Sequence, residues 1–264
     1  MRVCAHVPPS ASAADIAALR VLLVADLLAR TGELGGLQVL TALQFSEPGA
    51  NQAGLESDAG ALGIHPAATR TSSNDAHSQL GGPVDVHLVS QSANLDPGQN
   101  EPSVCIAAAH LHGAESRPGP PAGGLLAGRS HDPLSVRLAL MSIPSDLPAD
   151  LTEDGLTRER DALADWRRQV AGWAESPSRP IPATITEAAG AAFVDLDTVA
   201  VLALLRGVSL DASVPAGAKF ETFVYADRIL GLDLARGVGQ PVGEAHTQPG
   251  VASNPKIGEL AVVR

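Results

Sequence analysis

The chain has 264 residues, 45% hydrophobic but only 3% aromatic, enough to bury a core of ordinary domain size built on Leu, Val, Ile and Ala. Eighteen basic residues against 29 acidic ones leave a formal charge of −11, the wrong sign for a binder of polyanions. The densest basic run, Arg158, Arg160, Arg167 and Arg168, is interleaved with Glu159, Asp161 and Asp165 and reads as a solvated helix face, so no nucleic-acid partner is expected.

Arg2 to Val7 is a short apolar run stopped by Pro8-Pro9, which predicts a buried strand. Ser12 can cap a helix beginning near Ala13, with Asp15 in its first turn and Leu19, Leu22, Leu23 and Leu27 at helical spacing. That helix should stop near Gly32 or Gly35-Gly36. Leu37 to Phe45 then reads as a second apolar strand, 83–89 as a third and 104–109 as a fourth. Strand, helix and strand with apolar runs on both sides predict right-handed parallel crossovers: an α/β fold with a small Rossmann-like sheet. Between them, Gln52 to Leu62 reads as a short helix ending at Gly63, Thr69 to Gly82 as polar loop, and Ser116 to Gly128 as a Pro/Gly-rich loop or linker.

Past Asp132 the pattern becomes helical. Thr152 or Asp154 caps a helix presenting Leu156, Leu163, Trp166, Val170 and Trp173 on one face. After Pro177, Pro180 and Pro182, Thr184 or Thr186 starts a second helix carrying Ala192, Phe193, Leu196, Val199 and Leu202. A third spans about Ala218 to Leu230. The expected organisation is a Rossmann-like domain over 1–130, a helical domain over 131–236 and a loose tail over 237–264.

Cys4 and Cys105 are the only cysteines, which excludes a disulfide framework and an all-cysteine metal site. No uninterrupted apolar segment marks a signal peptide, and Leu19 to Leu28 is interrupted by Arg20 and Asp26 and too short to span a bilayer. A cytoplasmic protein without membrane contact is expected.

Taken in order, RVCAHVPP, ALRVLLVADLLARTGELGGLQVLTALQF, PVDVHLVS, DPLSVRLALMS and AAFVDLDTVAVLALLRG resemble the catalytic core and following helices of cysteinyl-tRNA synthetases. The related ligases that join cysteine to glucosaminyl-inositol in mycothiol synthesis share this outline. AGALGIHPAA and FVDLDTVAVLALL add further matching segments, the second resembling the family pattern FxxALxDDLNTPxALAxL. The resemblance implies a class I synthetase core in which a HIGH motif opens the first helix against phosphates and KMSKS lysines neutralise charge on the pyrophosphate. It also implies a zinc ion that grips the substrate thiolate.

The chain departs from each of these motifs. The HIGH position reads SASAADIAAL, without histidine; the KMSKS position reads GGLLAGRSH, where Arg129 is the one obligate cation and the single catalytic candidate. Of the zinc ligands the resemblance implies, only the first has a counterpart, Cys4; the WHIEC-type segment is missing and PGQNEP stands in place of PHHENE, leaving Glu101 as an acidic remnant. VDVH keeps Asp85 and His87, the candidate cofactor-binding residues, but Leu88, Val89 and Ser90 replace the glycines that follow. His6, His87, His110 and His112 could in principle supply replacement metal ligands, but with three of four family ligands gone no stoichiometric zinc is expected.

The preferred reading is a degenerate paralogue of this family serving as a non-catalytic binding or regulatory module, with ATP or a cysteine-derived molecule as candidate ligand and a small-molecule or protein partner. The alternatives are a divergent ATP-dependent ligase rebuilt around Arg129, and an interaction protein using its amphipathic helices.

Overall fold

In a computed structural model of the chain, the residues described are 1–8, 16–45, 52–71, 75–91, 101–112, 126 and 132–240. The α/β architecture is as expected. β1 (Arg2–Val7) leads through α1 (Ala17–Leu34), β2 (Leu40–Phe45), α2 (Gln52–Ala61), β3 (Thr69–Thr71) and α3 (Ala76–Gln79) to β4 (Val86–Ser90) and β5 (Ser103–Ile106). These five strands form one parallel sheet in the order β3-β2-β1-β4-β5. The chain builds outward from β1 in one direction, then crosses over to build outward from β4 in the other, so the topological switch point lies between β1 and β4.

Alternation along the strands gives the sheet two unlike faces. Val3, Ala5, Val7, Leu43, Phe45, Leu88 and Ile106 join an apolar cluster with Leu19, Leu22 and Leu23 of α1. Cys4 and Ala42 belong to a separate small cluster with Ala76, Leu80 and Val84, under the single turn of α3. Among the described residues, α1 lies on the first side with eighteen residues of helix, and α3 on the second with four.

Several local expectations are corrected. The second strand starts at Leu40 rather than Leu37, because Gly36 turns the chain with φ +81° and Leu37 is left exposed. The segment read as loop, Thr69 to Gly82, contains both β3 and α3; three strand residues and one helical turn are too short to show a period. α1 starts at Ala17, and the expected cap Ser12 lies outside the described residues.

The fourth expected strand breaks after Ile106. Ala107 N–H donates to Ser145 O, and β6 (Ala109–Leu111) leaves the main sheet to pair in parallel with β7 (Ala149–Leu151). The buried Arg20 guanidinium accounts for the break: it donates to the carbonyls of Ala107, Ala108, Ile143, Pro144 and Leu147, drawing the two segments onto α1. β7 also interrupts the region expected to be wholly helical.

The remaining helices are α4 (Pro133–Met141), α5 (Glu153–Trp173), α6 (Ala183–Val194), α7 (Thr198–Leu210) and α8 (Ala216–Leu230). Thr152 caps α5 by accepting from Gly155 N–H at 3.1 Å, and Leu156, Leu163, Trp166 and Val170 are its buried stripe. Trp166 and Trp173 meet Phe223 of α8 edge-on, with centroids 5.7 and 5.1 Å away. The single helix expected through Leu202 is two: Leu196 takes a left-handed conformation (φ +53°), and Asp197 caps the new helix by accepting from Ala200 N–H at 2.9 Å. No helix among the described residues is long and apolar enough to cross a membrane.

One buried ion pair ties these parts together. Arg137 of α4 donates from Nη2 to Asp26 Oδ2 of α1 at 2.6 Å, from Nε to Leu230 O at 2.6 Å and from Nη1 to Leu62 O at 3.1 Å. Asp26 also accepts from Arg30 Nε at 2.8 Å and His65 N–H at 3.1 Å, and Arg30 Nη2 donates to Gly63 O at 2.7 Å. Removing one member strands a buried charge, which typically costs about 3–5 kcal/mol. Arg137→Ala should therefore lower the unfolding free energy by about that much in urea titrations followed by circular dichroism. Arg137→Lys should recover little of it, since one ammonium cannot reach three acceptors on three segments.

Candidate functional site

The polar face of the sheet concentrates its chemistry on β1 and β4, the strands that flank the switch point. Register sets Cys4 beside His87, and His6 beside Gln44. Cys4, His6 and His87 are all buried. Cys4 Sγ donates to Gln44 Oε1 at 3.5 Å, and His6 Nε2 lies 2.8 Å from His87 Nδ1, one donating and the other accepting.

Two further groups complete the cluster from its rim. Glu101, just before β5, places Oε2 2.8 Å from His87 Nε2 and Oε1 3.3 Å from His77 Nε2 on α3. The Glu101 carboxylate thus pairs with His87 Nε2, whereas His6 Nδ1 is buried without a hydrogen-bond partner among the described residues. A buried nitrogen left in this way costs about 1–3 kcal/mol.

Burial dominates the electrostatics. Desolvation, then the neighbouring His87, pushes the His6 pKa down to about 4, and desolvation also lowers that of His87 against the pull of Glu101. The pair is thus neutral near pH 7, sharing one hydrogen bond. Desolvation, reinforced by the Glu101 charge, raises the Cys4 thiol to about 12.

The residues singled out from the sequence separate here. His87 and Cys4 sit in the cluster together with His6, and Glu101 stands at its rim. Asp85 does not join them: it lies at the amino end of β4, where its Oδ2 accepts from Arg2 N–H at 2.7 Å and its own N–H donates to Arg2 O at 2.8 Å. His110 and His112 belong to β6 and the residue after it, and neither enters a group of closely placed metal-type donors among the described residues. Arg129 and residues 10–15 of the expected HIGH position lie outside the described residues, and the rest of that position is Ile16 at the start of α1 and Ala17, Ala18 and Leu19 in its first turn. His77, hidden in a polar stretch, and Gln44, marked only by its place in an apolar strand, were not among the residues singled out.

The zinc implied by the resemblance does not fit this cluster. It offers one thiol where the family uses two, that thiol donates to Gln44, and the two nearest imidazoles are bonded to each other. What the arrangement can do is hold a proton between His6 and His87 and present His87 Nε2 toward Glu101 and His77.

Comparison with known proteins finds no family model that matches this chain and no curated protein that matches it.

Because the thiolate is the reactive species, Cys4 should resist alkylation in the native protein at pH 8 while the exposed Cys105 reacts. Mass mapping after iodoacetamide treatment should find the label on Cys105 alone, and on both cysteines only after denaturation. The raised thiol pKa sets the sign of the linkage: its contribution to stability is complete below pH 9 and is lost as pH rises toward about 12.

Proposed function

We propose that this chain is a degenerate relative of the cysteinyl-tRNA synthetase and mycothiol cysteine ligase family that acts in the cytoplasm as a non-catalytic binding or regulatory module. Its ligand, ATP or a cysteine-derived molecule, would enter beyond the carboxyl ends of β1 and β4. The parallel order β3-β2-β1-β4-β5 supports this reading, since folds of this class bind ligands at the switch point. The matched segments RVCAHVPP and PVDVHLVS supply those two strands.

The observation that carries the non-catalytic part is where the cations are. Adenylation needs positive charge at the reacting phosphates. Lys219 lies on α8, its Nζ donating to Ser209 O and standing over the Trp173 ring. The buried guanidiniums of Arg20 and Arg137 are committed to carbonyl oxygens and Asp26. Among the described residues, the cluster around β1 and β4 contains thiol, imidazole, amide and carboxylate but no lysine or arginine.

Preorganised donors and cations at the reacting group contribute about 3–4 kcal/mol each. Losing both the HIGH histidines and the KMSKS lysines should cost about five orders of magnitude in rate if their effects are nearly independent. The protein is therefore expected to show no cysteine-dependent exchange of pyrophosphate into ATP, while calorimetry detects binding of ATP, AMP, cysteine or a cysteinyl-adenylate analogue. Robust exchange that disappears in Arg129→Ala would replace this reading with that of a rebuilt ligase. Absence of binding to all four ligands would leave an interaction protein.

A further inference from the structure

The geometry points to a mononuclear divalent transition-metal site formed by His77, His87 and Glu101, two imidazoles and one carboxylate, with His6 as the residue that orients His87. This site shares Glu101 with the zinc site the resemblance implies but contains no thiolate, and it does not depend on nucleotide or cysteine binding.

Donor spacing is the first support. Ions of this class sit about 2.0–2.2 Å from nitrogen and carboxylate oxygen, so adjacent donors on one ion lie roughly 3 Å apart. His87 Nε2 and His77 Nε2 lie 2.8 and 3.3 Å from the two oxygens of Glu101, and one ligand atom from each of the three residues falls within 4.8 Å of the others. Without an ion, the Glu101 carboxylate itself bridges the two imidazoles at that spacing.

The second support is the buried nitrogen itself. His87 is 4% exposed, and its Nε2 lies where Glu101 and His77 converge, paired with the Glu101 carboxylate at 2.8 Å. Its opposite nitrogen is tethered, with Nδ1 2.8 Å from His6 Nε2. With the proton on Nδ1 donated to His6, the Nε2 lone pair faces Glu101 and His77. Metal-ligating histidines commonly use their second nitrogen in this way, which fixes tautomer and ring orientation.

Burial is graded in the direction a site needs. His87 forms the floor, whereas the side chains of His77 and Glu101 are 46% and 33% exposed, leaving one side open for entry and for water or a small ligand. The three ligands come from α3, β4 and the residue before the β5 approach, so one ion would join three separate segments of the chain. Two imidazoles and one carboxylate select borderline ions such as zinc, cobalt, nickel or iron(II); magnesium and calcium favour all-oxygen shells. Cys4 lies outside the three-ligand set, its Sγ donating to Gln44 Oε1 at 3.5 Å.

The test is titration of chelator-stripped full-length protein with Co²⁺, and separately with Zn²⁺, by calorimetry and visible absorption. The expected result is one ion per chain, with cobalt d–d bands and no thiolate-to-cobalt charge-transfer band. His77→Ala and Glu101→Gln, both at the surface and checked for fold by circular dichroism, should each weaken binding by about tenfold or more, and His6→Gln by about ten- to a hundredfold. Cys4→Ser should leave affinity and spectrum unchanged, and Mg²⁺ should not compete. The proposal is overturned by an absence of binding, or by binding that persists in His77→Ala and Glu101→Gln. Binding that carries a thiolate charge-transfer band and is lost in Cys4→Ser would overturn it equally.

Discussion

Everything in this fold is arranged around one carboxylate. Asp26 lies buried on the inner side of α1, and the guanidiniums of Arg30 and Arg137 converge on it from α1 and α4. Through Arg137 the same centre reaches the last carbonyl of α8 and the turn after α2. A carboxylate at this depth is tolerable only with both cations in place, so the relative positions of four helices are over-determined. One apolar cluster extends across this centre, from Val3, Leu88 and Ile106 through Leu23 and Leu138 to Trp166, Leu205 and Phe223. The sheet and the later helices share that core.

With α1 held in this way, the sheet can put its unusual chemistry on the opposite face. The α1 side of β1 carries Val3, Ala5 and Val7, ordinary aliphatic packing. The other side of the same six residues carries Cys4 and His6, and β4 adds His87. Three polar side chains in the middle of a parallel sheet are costly to desolvate, and their mutual hydrogen bonds offset only part of that cost. Such local inconsistency between burial and polarity is common where a protein binds something.

The larger elements were legible in the sequence because each is a continuous apolar run or a clear helical period bounded by proline or glycine. β1, α1, β2, α5 and α8 all fall within a few residues of expectation. What escaped has a common physical reason: local pattern carries no long-range geometry. β3 and α3 are shorter than the window in which periodicity can be seen. α6 and α7 read as one helix because Phe193, Leu196, Val199 and Leu202 keep helical spacing straight through the left-handed φ of Leu196. The site was half legible: Cys4 and His87 stood out through the resemblance, and His6 and Glu101 were noted singly. That positions 4 and 87 are neighbours is a matter of register, fixed by strand pairing across eighty residues. His77 had no signal at all.

The disparity between the two coverings of the sheet bears on how the molecule comes apart. The α1 face is locked by a long helix pinned through Asp26, so it can be exposed only when the whole structure opens. The α3 face lies under one helical turn, flanked by Gly81 and Gly82 in backbone conformations that few residues adopt. Lifting that turn breaks few apolar contacts and leaves the five-stranded ladder intact. Among the described residues, the sheet thus has one side pinned through Asp26 and another under a single helical turn, and the histidines lie on the second.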